Sequence, residues 1–111
     1  MGDIKVLEYS VGKGKGRGWS VTFTSPMSVI IDRYHGPYIG FKVTIKDKER
    51  WVVFEIDSKT VKINGTEKEY IYTADFLGHN PNTAIELETV NFEWIDDEEV
   101  ISQARTQACW T

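Results

Sequence analysis

The chain has 111 residues and a net charge of −4, and 41% of its residues are hydrophobic, with four tryptophans, five tyrosines and five phenylalanines. These values predict one folded domain, residues 1–111, and exclude a disordered chain, an enzyme with separate catalytic and cofactor domains, and a general affinity for nucleic acid. The single cysteine, Cys109, excludes an internal disulfide. Without an export signal or an apolar span of ~20 residues, we expect a cytoplasmic protein that does not contact membranes.

The first strands are predicted by apolar and polar side chains that alternate with a period of two. Residues 4–11 and 19–24 form a first pair on this pattern. Residues 27–32 continue it after Pro26 and are predicted as a third strand.

The clearest alternation covers residues 38–46. Its apolar positions share one face and its polar positions share the other, as in an antiparallel strand with one wet face: Ile39, Phe41, Val43 and Ile45 against Lys42, Thr44 and Lys46. A turn at 47–49 leads to residues 51–56, where one face carries Val52, Phe54 and Ile56. The other face of 51–56 carries Trp51 and Val53, so we expect this strand to be central and covered on both sides.

A second hairpin is predicted around Asn64-Gly65, a dipeptide that accepts the two positive φ angles of a type I′ turn. It joins residues 60–63 to residues 67–72. A last strand is expected over residues 84–95, where the alternation changes phase and predicts a bulge between positions 88 and 90.

One helix is predicted at the end of the chain, with Asp96 as its N-cap and Glu99 completing a capping box. Its apolar face has helical spacing and comprises Val100, Ile101, Ala104 and Ala108. The fold class is therefore α+β and predominantly antiparallel β. We expect about seven strands in one bent sheet or two layers, with the C-terminal helix closing an open side.

A glycine-rich loop over residues 12–18 alternates glycine with cations, but it fits neither the dinucleotide-binding fingerprint nor the Walker loop. It is expected to be an exposed cationic turn. As an alternative function, Lys13, Lys15 and Arg17 bind nucleic-acid or other phosphates while Trp19 stacks on a base. The pattern around Trp19 favours a core position instead.

Catalytic residue types are few. The two histidines, His35 and His79, lie in separate predicted loops, and the chain has no His-x-x-x-His or Cys-x-x-Cys spacing, so no metal site and no cofactor are predicted. A small enzyme remains an alternative, with a general acid–base site formed by one loop at 32–36 and another that includes Asp75 and His79. These residue types are also those of ordinary turns.

Carboxylates concentrate in the last predicted strand and at the helix start. The candidate partner-binding residues are Glu86, Glu88, Glu93, Asp96, Asp97 and Glu98. A row of carboxylates on rigid elements can dock on a basic target. The function ranked first is therefore a small non-catalytic protein of the inhibitor or immunity type, which binds a basic protein partner through this acidic surface.

Overall fold

The computed structural model of the protein describes residues 4–10, 19–31, 36–45, 47–77 and 91–106. Its elements in chain order are β1 (Lys5–Ser10), β2 (Ser20–Ser25), β3 (Tyr38–Ile45), β4 (Lys48–Asn64), β5 (Glu67–Phe76), β6 (Glu93–Ile95) and α1 (Glu98–Thr106). The one helix within these ranges has nine residues and is too short to cross a membrane.

The six strands form one antiparallel sheet in the order β1-β2-β5-β4-β3-β6. The sheet is strongly curled, because Phe23 of β2 and Trp94 of β6 are in contact although three strands separate β2 from β6, and their ring centroids lie 5.8 Å apart. The shape is a half-barrel with one C-terminal helix. The predicted fold class, α+β with mostly antiparallel strands, is confirmed.

The inner face of the curled sheet holds the main core. Its buried residues come from the four central strands and the start of β2: Trp19, Val21, Phe23, Ile39, Phe41, Val52, Phe54, Ile56, Tyr72 and Ala74. The faces predicted for β3 and β4 are confirmed, because Ile39 and Phe41 are buried while Lys42 and Thr44 are exposed. Burying a large apolar side chain stabilises the fold by about 1.5–3 kcal/mol, so this face contributes most of the hydrophobic stabilisation.

The outer face of the sheet is covered in part by α1. Ala104 of the helix is buried against Tyr38, Val53 and Ile95. Four half-buried side chains complete this second cluster: Trp51, Leu77, Val100 and Ile101. The expectation of a central strand covered on both faces is confirmed for β4, and the predicted apolar face of the helix is confirmed at its described positions; Ala108 lies outside the described residues.

The helix begins one residue later than predicted. The backbone N–H of Glu99 donates to the Asp97 carboxylate at 2.9 Å, which makes Asp97 the N-cap in place of Asp96. The residue three positions after Asp97 is Val100, whose apolar side chain cannot return a hydrogen bond. The predicted capping box of Asp96 and Glu99 is therefore wrong.

The predicted third strand is also wrong, because residues 27–31 run without a strand partner among the described elements. Side chains supply the hydrogen bonds of this segment instead. The Tyr72 hydroxyl donates to the Met27 carbonyl at 2.6 Å and accepts from the Val29 N–H at 3.2 Å, and Lys59 Nζ donates to the Val29 carbonyl at 2.8 Å. The apolar alternation of the segment reflects packing against the core and not pairing in the sheet.

The β4–β5 hairpin is confirmed, with its turn shifted by one residue. Asn64 pairs with Glu67, so the central residues are Gly65 and Thr66. Gly65 has a φ of 66° and the φ of Thr66 is not positive, as in a type II′ turn and not the predicted type I′ turn. The expected bulge between positions 88 and 90 lies outside the described residues, and the last strand is described only as β6.

Candidate functional site

The junction between β6 and α1 gathers carboxylates at one edge of the sheet. β6 pairs with Tyr38–Gly40 of β3, and α1 begins three residues after β6 ends. The described acidic residues here are all exposed: Glu93, Asp96, Asp97 and Glu98. Because Glu93 is two residues from Ile95, it lies on the same outer face on which the helix packs. The other two candidates, Glu86 and Glu88, lie outside the described residues.

A cavity of 460 Å³ lies between this acidic junction and the sheet. It is lined by Pro37, Tyr38, Ile95, Asp96, Glu98, Ile101, Ser102 and Arg105. Tyr38 and Ile95 are among the buried residues of the outer cluster, so the floor is apolar. Asp96 and Glu98 are exposed, and their carboxylates lie at the rim.

The cavity is also lined by a cation, Arg105, which lies seven residues after Glu98 on α1. Arg105 Nη2 donates to the Tyr38 hydroxyl at 2.6 Å and lies 4.0 Å from the Glu55 carboxylate. The guanidinium also stands 5.9 Å from the centre of the Tyr38 ring. Because the side chains of Arg105 and Glu55 are 50% and 36% exposed, their ion pair adds little to stability and serves mainly to hold the guanidinium in place.

The carboxylates of the acidic rim differ in the contacts that they make. Within the described ranges, no ion pair involves Glu93, Asp96 or Glu98. Asp97 differs from them because its carboxylate caps the helix. The cavity therefore combines an apolar floor with the guanidinium of Arg105 and with the carboxylates of Asp96 and Glu98, which form no ion pair with a described residue.

No single segment of the sequence predicts the cavity. The lining residues that α1 contributes, however, follow a recognisable spacing. Four lining residues have the i, i+3, i+4, i+7 spacing of one helix face: Glu98, Ile101, Ser102 and Arg105. Arg105 is not among the site residues predicted from the sequence. Its contact with Tyr38, 67 positions earlier in the chain, depends on the pairing of β3 with β6.

A second group of carboxylates lies on the outer face of β4 and β5, where Glu55 and Asp75 are cross-strand neighbours. Partial burial, a hydrogen bond with Asp57 and the negative charges of Asp57 and Glu55 raise the pKa of Asp75 to about 6. Thr73 Oγ1 donates to Asp57 Oδ1 at 2.6 Å and also forms a hydrogen bond with Ser58 Oγ. When Asp75 is protonated, its carboxyl group can therefore donate a hydrogen bond to the Asp57 carboxylate.

Of Asp57 and Asp75, only Asp75 belongs to the general acid–base site that was predicted as an alternative function. The other residues of that predicted site, at 32–35 and at His79, lie outside the described residues, so the site stays a prediction. Among the described residues, no group of three or more His, Cys, Asp or Glu side chains is arranged to hold a metal ion.

Trp19 of the phosphate-binding alternative is a core residue. Its side chain is 1% exposed and its ring lies 5.5 Å from that of Phe76, so it offers no free face on which a base could stack. Lys13, Lys15 and Arg17 lie outside the described residues, and phosphate binding by these cations stays a prediction.

Comparisons of the chain with protein-family models, curated proteins and solved structures find no match.

Proposed function

We propose that this protein is a non-catalytic binding protein that docks the acidic β6–α1 junction on a basic protein partner, in the manner of an inhibitor or immunity protein. The observation that carries the proposal is the cavity, which places the exposed carboxylates of Asp96 and Glu98 beside an apolar floor. Such a site suits a lysine or arginine side chain, whose aliphatic stem packs on apolar surface while its charged end meets a carboxylate.

The surrounding charges favour the same partner. Glu93 and Asp97 extend the negative surface beyond the rim of the cavity, and the whole chain carries a net charge of −4. A surface of one sign attracts an oppositely charged partner during diffusion and acts mainly on the rate of association. Arg105 lies about two helical turns beyond Glu98 on α1, so the incoming cation belongs beside Asp96 and Glu98, away from that guanidinium.

The test begins with capture of the partner from the source cell by the full chain and its identification by mass spectrometry. The association rate is then measured for the double variant Asp96→Asn/Glu98→Gln. Glu67→Gln/Glu69→Gln removes the same two charges from another exposed part of the chain and is the matched control. We expect the first variant to slow association about tenfold and the control to change it by less than about twofold, with a stronger difference at low salt.

Two results would contradict the proposal. One is an equal effect of both double variants, which would show that the partner responds to the net charge of the chain and not to this site. The other is a captured partner whose binding is unaffected by Asp96→Asn/Glu98→Gln and is lost when Lys13, Lys15 and Arg17 are replaced by alanine. That outcome would transfer the function to the cationic loop.

A further inference from the structure

The β4–β5 hairpin extends well beyond the rest of the sheet. Pairing of β4 with β3 ends at Glu55, and pairing of β5 with β2 begins only at Tyr70. Residues 57–64 and 67–69 therefore form a two-stranded ribbon with no further described strand on either side. The ribbon lies at one end of an elongated molecule whose extents are 47 × 26 × 26 Å.

The ladder of the hairpin assigns the ribbon side chains to two faces. Val61 pairs with Tyr70 and Ile63 pairs with Lys68, and residues directly opposite each other share a face. This face continues the inner face of the sheet, because Tyr70 packs against the main core. Val61 is 48% exposed and Ile63 is 66% exposed, so apolar surface reaches the tip of the ribbon.

Between residues 59 and 70, this face of the hairpin carries cations and no carboxylates. Lys59 and Lys68 lie on it, whereas Glu67 and Glu69 are on the opposite face, opposite Asn64 and Lys62. Lys59 is held in place, with Nζ 2.8 Å from the Val29 carbonyl and 5.7 Å from the centre of the Tyr70 ring. We name this surface, formed by Lys59, Val61, Ile63, Lys68 and Tyr70, the basic ribbon face.

The Ile56 N–H donates to the Pro37 carbonyl at 3.0 Å, and beyond that bond no described strand pairs with β4 on the side of β3. Within the described residues, the N–H and C=O groups that residues 58–64 direct to this side therefore have no strand partner. An extended segment can add to such an edge as a further strand. Its backbone then supplies hydrogen bonds, and its alternate side chains lie against one face of the ribbon.

We infer that the ribbon binds an extended acidic segment of a partner protein, which adds as a strand to the open edge of β4. Apolar side chains of the segment contact Val61 and Ile63, and its carboxylates meet the positive charge of Lys59 and Lys68. Complementary charge selects the acidic partner, because the basic ribbon face has two cations and no carboxylate. This surface is opposite in charge to the β6–α1 junction and does not depend on the function proposed for that junction.

The experiment uses a short acetylated peptide in which every second position is in turn valine or glutamate, with threonine at the positions between, so that its valines and glutamates share one face of the added strand. A control peptide has lysine in place of glutamate. Each is titrated into the full isotope-labelled protein while amide shifts and hydrogen exchange are recorded. We expect the acidic peptide to slow exchange in residues 57–64 and to bind at least about tenfold more tightly than the lysine peptide. Exchange that slows elsewhere, or equal binding of the two peptides, would overturn the inference.

Matched variants separate a specific face from general attraction. Lys68→Gln removes a cation from the basic ribbon face, and Lys62→Gln removes one from the opposite face of the same ribbon. We expect Lys68→Gln to weaken binding of the acidic peptide about two- to fivefold and Lys62→Gln to leave it unchanged. Equal effects of the two variants would show that the peptide recognises net charge and not this face.

The apolar contribution has its own control. Val61→Ser/Ile63→Ser removes exposed apolar surface from the ribbon, and Leu7→Ser removes it from β1, where Leu7 is 51% exposed. The ribbon variant is expected to lose at least about tenfold in affinity and Leu7→Ser to lose none. Asp96→Asn/Glu98→Gln should bind the acidic peptide as the unchanged protein does. Failure of one proposal is therefore distinguishable from failure of the other.

Discussion

Arg105 of α1 donates a hydrogen bond to the hydroxyl of Tyr38 on β3, with 2.6 Å between the two atoms and 67 positions between the two residues in the chain. The Tyr38 side chain is 3% exposed, and both residues line the cavity beside the acidic junction. A charged donor makes this bond stronger than one between neutral groups. The contact therefore fixes the second half of α1 against the sheet and sets the width of the cavity.

The first prediction concerns this contact. Tyr38→Phe keeps the buried ring and removes the hydroxyl, so we expect the free energy of unfolding to fall by about 1 kcal/mol in urea denaturation. Arg105→Gln and the double variant complete a mutant cycle. If Tyr38→Phe destabilises the Arg105→Gln protein as much as the unchanged protein, the two side chains do not stabilise the fold through each other.

The second prediction concerns the start of α1. Asp97→Ala removes the carboxylate that accepts from the Glu99 N–H, and we expect it to cost about 1 kcal/mol, measured as a lower melting temperature and reduced helical circular dichroism. Asp96→Ala removes the same charge one position earlier. It should change the free energy of unfolding by less than about 0.5 kcal/mol, and a larger loss there than at Asp97 would restore the cap predicted from the sequence.

The third prediction concerns the faces of β3. Phe41 is 2% exposed and its ring meets that of Phe92 at 5.1 Å, so Phe41→Ala should cost about 3–5 kcal/mol. Lys42, next in the strand, makes an exposed ion pair with Glu49 at 3.2 Å, and Lys42→Ala should cost less than about 1 kcal/mol. Denaturation midpoints compare the two variants directly, and similar losses would contradict the assigned faces.

Local patterns predicted these faces because alternation is a property of consecutive residues. Ile39 and Phe41 point inward and Lys42 outward whatever strand lies beside them. The same alternation gave a wrong prediction of a strand at residues 27–31. There the Tyr72 hydroxyl and Lys59, which are distant in sequence, form hydrogen bonds with the backbone that a neighbouring strand would otherwise form. Apolar periodicity predicts which side chains are buried, but it does not predict which groups form hydrogen bonds with the backbone.

The site was predictable in part for the same reason. The carboxylates of Asp96 and Glu98 are evident in the sequence, but the floor beneath them is not, because it forms only where Tyr38 meets Ile95 across two paired strands. The N-cap was predicted one residue too early, at Asp96, because the adjacent Asp97 carries the same carboxylate. The hydrogen bond from the Glu99 N–H identifies Asp97 as the cap.

The carboxylates of Asp57 and Asp75 could be brought together only by the pairing of β4 with β5. The ladder between these strands is irregular between Ile56 and Ser58, so Asp57 lies at the irregularity, beside the Glu55–Asp75 pair. An extra residue in one strand re-aims the side chains around it. No spacing of residues within a single segment predicts that Asp57 and Asp75 are neighbours.

The last prediction follows from the pKa of Asp75, which burial and its acidic neighbours raise from 3.8 to about 6. Between these two pH values the folded chain holds more protons at this site than the unfolded chain. The site therefore favours folding most strongly below pH 3.8, and that contribution is lost as the pH rises through about 6. Asp75→Asn removes the charge, so we expect it to raise the melting temperature at about pH 7.5 and to have little effect at about pH 2.5, where Asp75 is protonated in both states. The gain should stay below about 1 kcal/mol because solvent screens this exposed side chain.

Glu67→Gln, which removes an exposed charge from the ribbon, is the control and should show no comparable difference between the two pH values. An equal effect of Asp75→Asn at both pH values would mean that the Asp75 carboxylate is not protonated in this interval in the folded protein.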